Sequence, residues 1–427
     1  MSAKPAAGPG SSAHALGSGQ AVRSIKAQCC IVGGGPAGMM LGYLMARAGI
    51  DTVVLEKHAD FLRDFRGDTV HPSTMQVLDE LGLLDAFLKR PHDRLDHLSG
   101  HFGTDTVTIA DFRGMRIKTP YIAFMPQWEF LDFLFDAGAH YPNLKVLRKT
   151  EALDLLRDGE TVTGVIARSE QGRLEVRAAL TIGCDGRHSV VRECAGLEIE
   201  DIGAPIDVLW FRIAKDPSEK DRALMNAQPG RILVTIDRGE YWQCAYVIPK
   251  GLTDSVKARG LNQFRADIVA TAPRLRAHVG DVKSWDDVKL LTVSIDRLRR
   301  WSRPGLLCIG DAAHAMSPIG GVGINLAIQD AVATANLLSD KLSNGCPDER
   351  VLDRVRQRRM FPVRVTQALQ VQMQDRIISR ALEGGALTAP AFMKVVNASP
   401  WLQRLIARVL GIGVRPEHVR SKAAAIS

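Results

Sequence analysis

Three clusters of glycine and carboxylate in this chain of 427 residues have the types and spacing to hold a ligand that carries phosphates and hydroxyls. The first is Gly33-Gly34-Gly35-Pro36-Ala37-Gly38, with Glu56-Lys57 about 20 residues beyond it. In such a pattern Gly33 permits a tight turn, Gly35 lets the backbone approach a pyrophosphate, and Gly38 lets a helix pack closely on a strand. The N–H groups at the start of that helix attract phosphate. The Glu56 carboxylate suits ribose hydroxyls and would repel a 2′-phosphate, which favours FAD or NAD over NADP. The second cluster is Gly183-Cys184-Asp185-Gly186, with Arg192 downstream. The third is Gly310-Asp311, followed by Gly320-Gly321-Val322-Gly323-Ile324-Asn325. A carboxylate such as Asp311 suits a row of hydroxyls. Asp185-Gly186 has a plainer alternative, a turn with Arg192 paired locally.

These clusters need strands before them and helices after them. Ala27–Val32 reads as a strand, Met39–Ala48 as a helix and Asp51–Leu55 as a second strand, a complete βαβ unit in about 30 residues. Apolar strand-like runs also precede Gly183 and Gly310. Between them Val208–Ile213, Arg231–Ile236, Tyr241–Ile248 and Lys289–Ile295 alternate as strands of a mostly antiparallel sheet. From Gly323 onward the pattern is helical. Residues 1–24, rich in Ala, Gly, Ser and Pro, read as a disordered tail.

Composition narrows the classes. Apolar residues make up 46% and charged residues 24%, an ordinary globular balance. Apolar runs are broken well short of the roughly 20 residues that cross a bilayer. The net charge of +8 comes from scattered basic residues without interleaved aromatics, so no nucleic-acid partner is expected. The seven cysteines show no C-x-x-C and no metal-ligand spacing, so no metal site is expected and a reducing cytoplasm fits. There is no G-x-S-x-G, H-E-x-x-H or P-loop.

Taken together, Gly33–Gly38 with Glu56, the run from Ile182 to Arg192, and the run from Cys308 to Asn325 resemble three motifs of the FAD-dependent aromatic hydroxylases, the group A flavoprotein monooxygenases related to p-hydroxybenzoate hydroxylase and the ubiquinone hydroxylases. The resemblance implies an α/β fold: a Rossmann-like FAD-binding domain, an inserted mostly antiparallel β-sheet substrate domain and a helical C-terminal region. It places the FAD-binding parts at 25–100, 129–204 and 301–345, the substrate parts at 101–128 and 205–300, and the C-terminal helices at 346–427. It also implies that Asp311 meets the ribityl chain and that Gly320, Gly321 and Gly323 let backbone approach the isoalloxazine ring. The helix starting near Gly323-Ile324-Asn325 would then aim its positive end at the flavin N1/O2 edge, favouring reduced flavin. By the same resemblance Asp185 lies near the pyrophosphate and is linked with NAD(P)H use. Arg66 contacts phosphate or ribityl oxygens, Gln127 lies near the ribityl chain, and the backbone of Ala152 contacts adenine.

The implied chemistry belongs to FAD. NADH or NADPH, as a transient donor, reduces it, and dioxygen then gives a C4a-hydroperoxyflavin that transfers one oxygen atom to an electron-rich carbon. No covalent protein nucleophile is needed. His71 is the candidate acid or base, with a structural histidine as its alternative. Substrate contacts are expected from Trp210, Arg212, Val234, Trp242, Cys244, Tyr246, Pro318 and Ile319, each with a core role as its alternative. Alternation sets 242, 244 and 246 on one strand face. This apolar, aromatic set suits a phenol, a quinone or a polycyclic aromatic, and Arg212 suits an acidic group. The chain departs from its apparent relatives at Ser317, where many have Pro, and at Val322, where many have Gln or Leu. Through Ser427 it shows no counterpart of the thioredoxin-like C-terminal domain of the phenol hydroxylase branch.

Other readings stay open. A reductase or halogenase of the same fold, or a non-catalytic flavin-binding protein at a membrane surface, shares these motifs. A monomer or homodimer is expected. After Trp401, the residues Leu402, Leu405, Ile406, Val409 and Leu410 form an amphipathic stripe. That stripe suits packing against protein, or peripheral contact with the inner face of a membrane.

Overall fold

The computed structural model describes residues 23–62, 69–219, 224–378, 382 and 389–424. The tail expected over 1–24 falls, up to residue 22, outside the described residues, and Arg23 and Ser24 already belong to the first strand. Arg66 also lies outside the described residues.

A largely parallel sheet carries the three clusters. Its strand order is Ser302–Arg303, Leu306–Cys308, Gly172–Gly183, Arg23–Val32, Thr52–Leu55 and Leu144–Leu147. Cys29 to Val32, in the middle, are almost fully buried, because helices and a hairpin cover a parallel sheet on both faces. Register decides where the site forms. Val32 pairs with Leu55 and with Gly183, and Gly183 pairs with Cys308. Four strands therefore end level with one another. The loops after them, with Gly33–Gly38, Glu56, Asp185-Gly186 and Gly310-Asp311, share one edge. Ligands of open α/β sheets bind at such carboxyl ends.

The helices around this frame are α1 (Pro36–Arg47), α2 (Pro72–Glu80), α3 (Gln127–Gly138), α4 (Leu261–Thr271), α5 (Gly323–Leu342), α6 (Glu349–Met373), α7 (Ala391–Ala398) and α8 (Pro400–Gly411). α1 is apolar on most sides and packs between the parallel sheet and α5, sharing one core with them.

The second sheet runs Lys289–Leu291, Ile206–Ala214, Tyr241–Pro249, Arg231–Asp237, Met225–Gln228, His97–Phe102 and Asp105–Asp111. It is antiparallel except where Met225–Gln228 pairs with His97–Phe102. Both faces are apolar, because both are covered. Leu209, Phe211, Leu233, Trp242, Cys244 and Tyr246 pack against Phe264 and Ile268 of α4. On the opposite face Val208, Trp210, Val234, Ala245 and Val247 meet Ile319 and Met393 of α7, and Ala407 and Leu410 of α8 join Trp210 and Val234.

α8 buries a face that takes in only part of its apolar stripe, Ile406 and Leu410. Gln403, Ala407 and Gly411 are buried, while Trp401 and Leu405 are 65% and 49% exposed. The small residues face inward because the approach is close: a Cβ on Gly411 would lie 3.1 Å from the Phe112 ring. Among the described residues no helix is long and apolar enough to cross a membrane, and no cluster of three or more His, Cys, Asp or Glu is placed to hold a metal ion.

Candidate functional site

The first loop is built for close approach. Gly33 has φ +104°, and a Cβ there would lie 2.4 Å from the Cys184 carbonyl oxygen. A Cβ on Gly38 would lie 1.9 Å from the Gly33 carbonyl oxygen, so only glycine lets α1 start this near the strand. Gly35 is different: a Cβ there would meet nothing within 4 Å. The space before it is open, at the N-terminus of a helix with Pro36 at its start, no side-chain cap and no acid in its first turn. That end presents unmet N–H groups and positive dipole to an anion.

Glu56 is nearly buried. Its Oε2 accepts the Gly34 N–H at 3.0 Å and its Oε1 accepts the His58 N–H at 2.9 Å, so it braces the glycine loop. Lys57 follows on an exposed bend. Gln127 opens α3, and Ala152 is buried in the strand Glu151–Asp158.

The second and third loops are tied together by arginines. Asp185 turns inward: Oδ1 accepts from Ser189 Oγ at 2.5 Å and Oδ2 from the Val191 N–H at 3.1 Å. Burial raises its pKa despite these bonds. Both oxygens thus shape its own turn, as the plainer reading of this motif anticipates. Arg187, which sequence reasoning did not single out, faces the third loop. Its Nε lies 3.3 Å from Asp311 Oδ2 and its Nη2 donates to the Met316 carbonyl at 3.3 Å. Its Nη1 is buried with no partner among the described residues. Arg192 Nη2 donates to the Arg187 carbonyl at 2.6 Å, and its Nη1 to that of Ala312 at 3.4 Å. Asp311 stays about one-third exposed beside a spare guanidinium nitrogen, a pairing that suits a ligand bearing hydroxyls and phosphate oxygens.

Behind Asp311 lies a buried charge cluster. Asp330 of α5 accepts the Gly310 N–H at 3.0 Å, Arg359 Nε of α6 at 2.8 Å and His314 Nε2 at 2.6 Å. Burial raises the Asp330 pKa, but His314 and Arg359 beside it more than compensate, so the carboxyl is held below its ordinary range.

α5 begins at Gly323 after the left-handed turns of Gly320 and Gly321, with Val322 as a cap that offers no side-chain bond and no acid in the first turn. Ile324 is buried. The Asn325 side chain is held on both sides, its Oδ1 accepting from the His71 N–H at 3.1 Å and from Thr74 Oγ1 at 2.7 Å and its Nδ2 donating to the Gly321 carbonyl at 3.5 Å. His71 is fully buried, its Nδ1 lies 2.9 Å from the Leu410 carbonyl oxygen, and burial lowers its pKa to about 4. At neutral pH it is an uncharged donor to α8, which suits the structural role better than proton transfer.

The substrate candidates divide by face. Trp210, Val234 and Ile319 come together in one apolar cluster, with Pro318 beside them in sequence. Arg212 shares their face but is exposed, its guanidinium 5.2 Å from the centre of the Tyr241 ring. Trp242, Cys244 and Tyr246 are corrected: they point to the other face and pack under α4. Alternation placed the three together, and the sheet's two covered faces left open which way they turn. Trp242→Ala should therefore cost about 3–5 kcal/mol of stability in denaturant unfolding and leave substrate binding intact. Trp210→Ala should weaken substrate binding instead.

Comparison with known proteins adds kinship to this geometry. The family model described as FAD binding domain matches residues 26–369. The chain is 33% identical over 396 residues to a 6-methylpretetramide 4-monooxygenase of Streptomyces rimosus, covering 92% of this chain and 94% of that protein. Among solved structures, the anhydrotetracycline hydroxylase OxyS from Streptomyces rimosus superposes with a TM-score of 0.69 at 23% identity, over 92% of this chain and 77% of that one. The p-nitrophenol 4-monooxygenase PnpA from Pseudomonas putida DLL-E4 gives 0.73 at 21% identity, over 90% and 97%. The two structures share the fold.

Proposed function

Because this chain belongs to the family of FAD-dependent aromatic hydroxylases, we propose that it hydroxylates a polycyclic phenolic or quinone-like substrate, with NADH or NADPH as electron donor and dioxygen as oxygen source. One observation carries the substrate reading. The loop from Ser317 to Gly323 joins the edge where the four strands end to an apolar sheet face bearing Trp210 and Val234. A flat, apolar ligand on that face would lie beside the start of α5. The likeness to a monooxygenase named for 6-methylpretetramide supports the same class.

The residues fit FAD: an uncapped helix end facing open space at Gly35, a carboxylate at the ribose position, and Asp311 beside a spare Arg187 nitrogen. When bound, FAD supplies the transfer of electrons to dioxygen and of one oxygen atom to the substrate. The chain does the rest. The N-terminus of α1 would bind the pyrophosphate, Glu56 the adenosine ribose and Asp311 the ribityl hydroxyls. The N-terminus of α5 would offer positive dipole to the negative charge of the reduced flavin. The face of Trp210 and Val234, closed by α7 and α8, excludes water and orients the aromatic ring.

The test is oxidation of NADH and NADPH by the purified holoenzyme with a panel of phenols, quinones and polycyclic aromatics under labelled dioxygen. Substrate-stimulated oxidation with a product heavier by one labelled oxygen atom is expected. Oxidation that persists without dioxygen and yields a reduced product would overturn the hydroxylase assignment in favour of a reductase.

A further inference from the structure

A row of glutamines holds the loop between the strand ends and the apolar face. Gln367, Gln370 and Gln374 follow helical spacing along α6 and the π-helical turn Gln374–Ile378 that extends it, and all three are buried. Gln367 Nε2 donates to the carbonyls of Asp296 and Ala315, at 2.8 and 3.1 Å. Gln370 accepts the Ser317 N–H at 3.2 Å and donates to the carbonyls of Ser317 and Ile319, both at 2.9 Å. Gln374 Nε2 meets Ser317 Oγ at 2.9 Å.

The last glutamine has an atom to spare. Its Oε1 is buried with no partner among the described residues. A hydroxyl both donates and accepts, so the bond to Ser317 holds whichever way the amide is turned, and one polar atom of Gln374 is left over in either case. Buried amide atoms without partners are exceptions in folded proteins, and π-helical turns recur at functional sites. The surroundings indicate what would meet that atom. Ser317 leads into Pro318 and Ile319, and Ile378, one turn after Gln374, shares the apolar cluster of Ile319, Trp210 and Val234.

We propose that Gln374, anchored by Ser317, is a specificity-determining residue that hydrogen-bonds an oxygen substituent, a phenolic hydroxyl or a quinone carbonyl, of an aromatic substrate lying over Pro318 and Ile319. The proposal rests on the hydroxylase reading above. A proline at position 317 would have neither the N–H that Gln370 accepts nor the hydroxyl that Gln374 meets, so serine and glutamines work as one unit.

The experiment is a titration of the oxidised holoenzyme with anhydrotetracycline and with p-nitrophenol, followed by the change in flavin absorbance and without turnover. Gln374→Leu is expected to keep its FAD and to bind anhydrotetracycline about tenfold more weakly than the parent protein. Ser317→Ala, which releases the amide, should show a smaller loss in the same direction. Equal dissociation constants for the parent and a folded, flavin-loaded Gln374→Leu would overturn the proposal. If that variant does not fold, equality between the parent and Ser317→Ala overturns it. A parent holoenzyme that binds neither probe, and oxidises NAD(P)H no faster with any aromatic, overturns the hydroxylase reading and this proposal with it.

Discussion

Gly35→Val should purify folded and colourless. A Cβ at Gly35 meets nothing within 4 Å, and its φ of −76° and ψ of −174° form an extended backbone that valine adopts readily. The protein itself therefore tolerates the side chain. The two methyls would occupy the space before the α1 N-terminus, where the pyrophosphate must approach the backbone. Overlap of that kind typically costs a few kcal/mol, so FAD should bind on the order of 100-fold more weakly. Circular dichroism and thermal unfolding should match those of the flavin-stripped parent, while flavin titration shows the loss. Gly38→Ala is the contrast. Its Cβ would sit 1.9 Å from the Gly33 carbonyl oxygen, so backbone must move and the fold itself is damaged. A Gly35→Val protein that stays yellow at full occupancy would remove the glycine loop from the FAD site.

Asp330→Ala should be the most destabilising single change among the buried charges, by about 3–5 kcal/mol in denaturant unfolding. Truncation leaves Arg359 buried without its carboxylate, strands the Gly310 N–H and frees the ring of His314. It also loosens the turn that presents Asp311, so flavin retention should fall with stability. The same cluster makes stability depend on acid. The Asp330 pKa is depressed in the folded state, so its contribution is full above the unfolded value near ~4 and is lost as pH falls through the lower folded value. His71 acts in the same direction over a higher window. Its folded value is lowered from 6.5 to about 4, so the unfolded chain takes up that proton first and stability declines as pH drops between those values. Unfolding free energy should therefore fall from pH 7 to pH 4 through His71, a slope that His71→Gln should flatten, and fall further below pH 4 through Asp330. A parent profile flat between pH 7 and pH 4 would refute the His71 assignment, and one flat below pH 4 the Asp330 assignment.

The geometry of the glycine loop was legible in the sequence because its signals are local. A glycine that must turn with positive φ, a helix that must start within contact of a strand, and a carboxylate at the end of the next strand all lie within one βαβ unit. The order of the three motifs added the resemblance that foretold FAD and the hydroxylase family, and family membership agrees. The substrate end was only half legible. Period-two alternation sorts Trp242, Cys244 and Tyr246 from Trp210 and Val234, but a sheet covered on both sides is apolar on both sides. Sorting residues into two faces does not say which face looks toward the cofactor.

The sequence by itself therefore determined the turns, the strand ends and the chemistry that their glycines and carboxylates can hold, since these depend on neighbours a few residues away. Tertiary structure alone decided three other things. It turned Arg187 toward Asp311, 124 positions along the chain. It laid the glutamines of α6 onto Ser317, 53 and 57 positions away. It set α8 on Phe112 with Ala407 and Gly411 turned inward and Trp401 and Leu405 turned outward. Each of these contacts joins side chains whose own segments would look the same without the partner, and only the packing of the whole chain brings them within bonding distance.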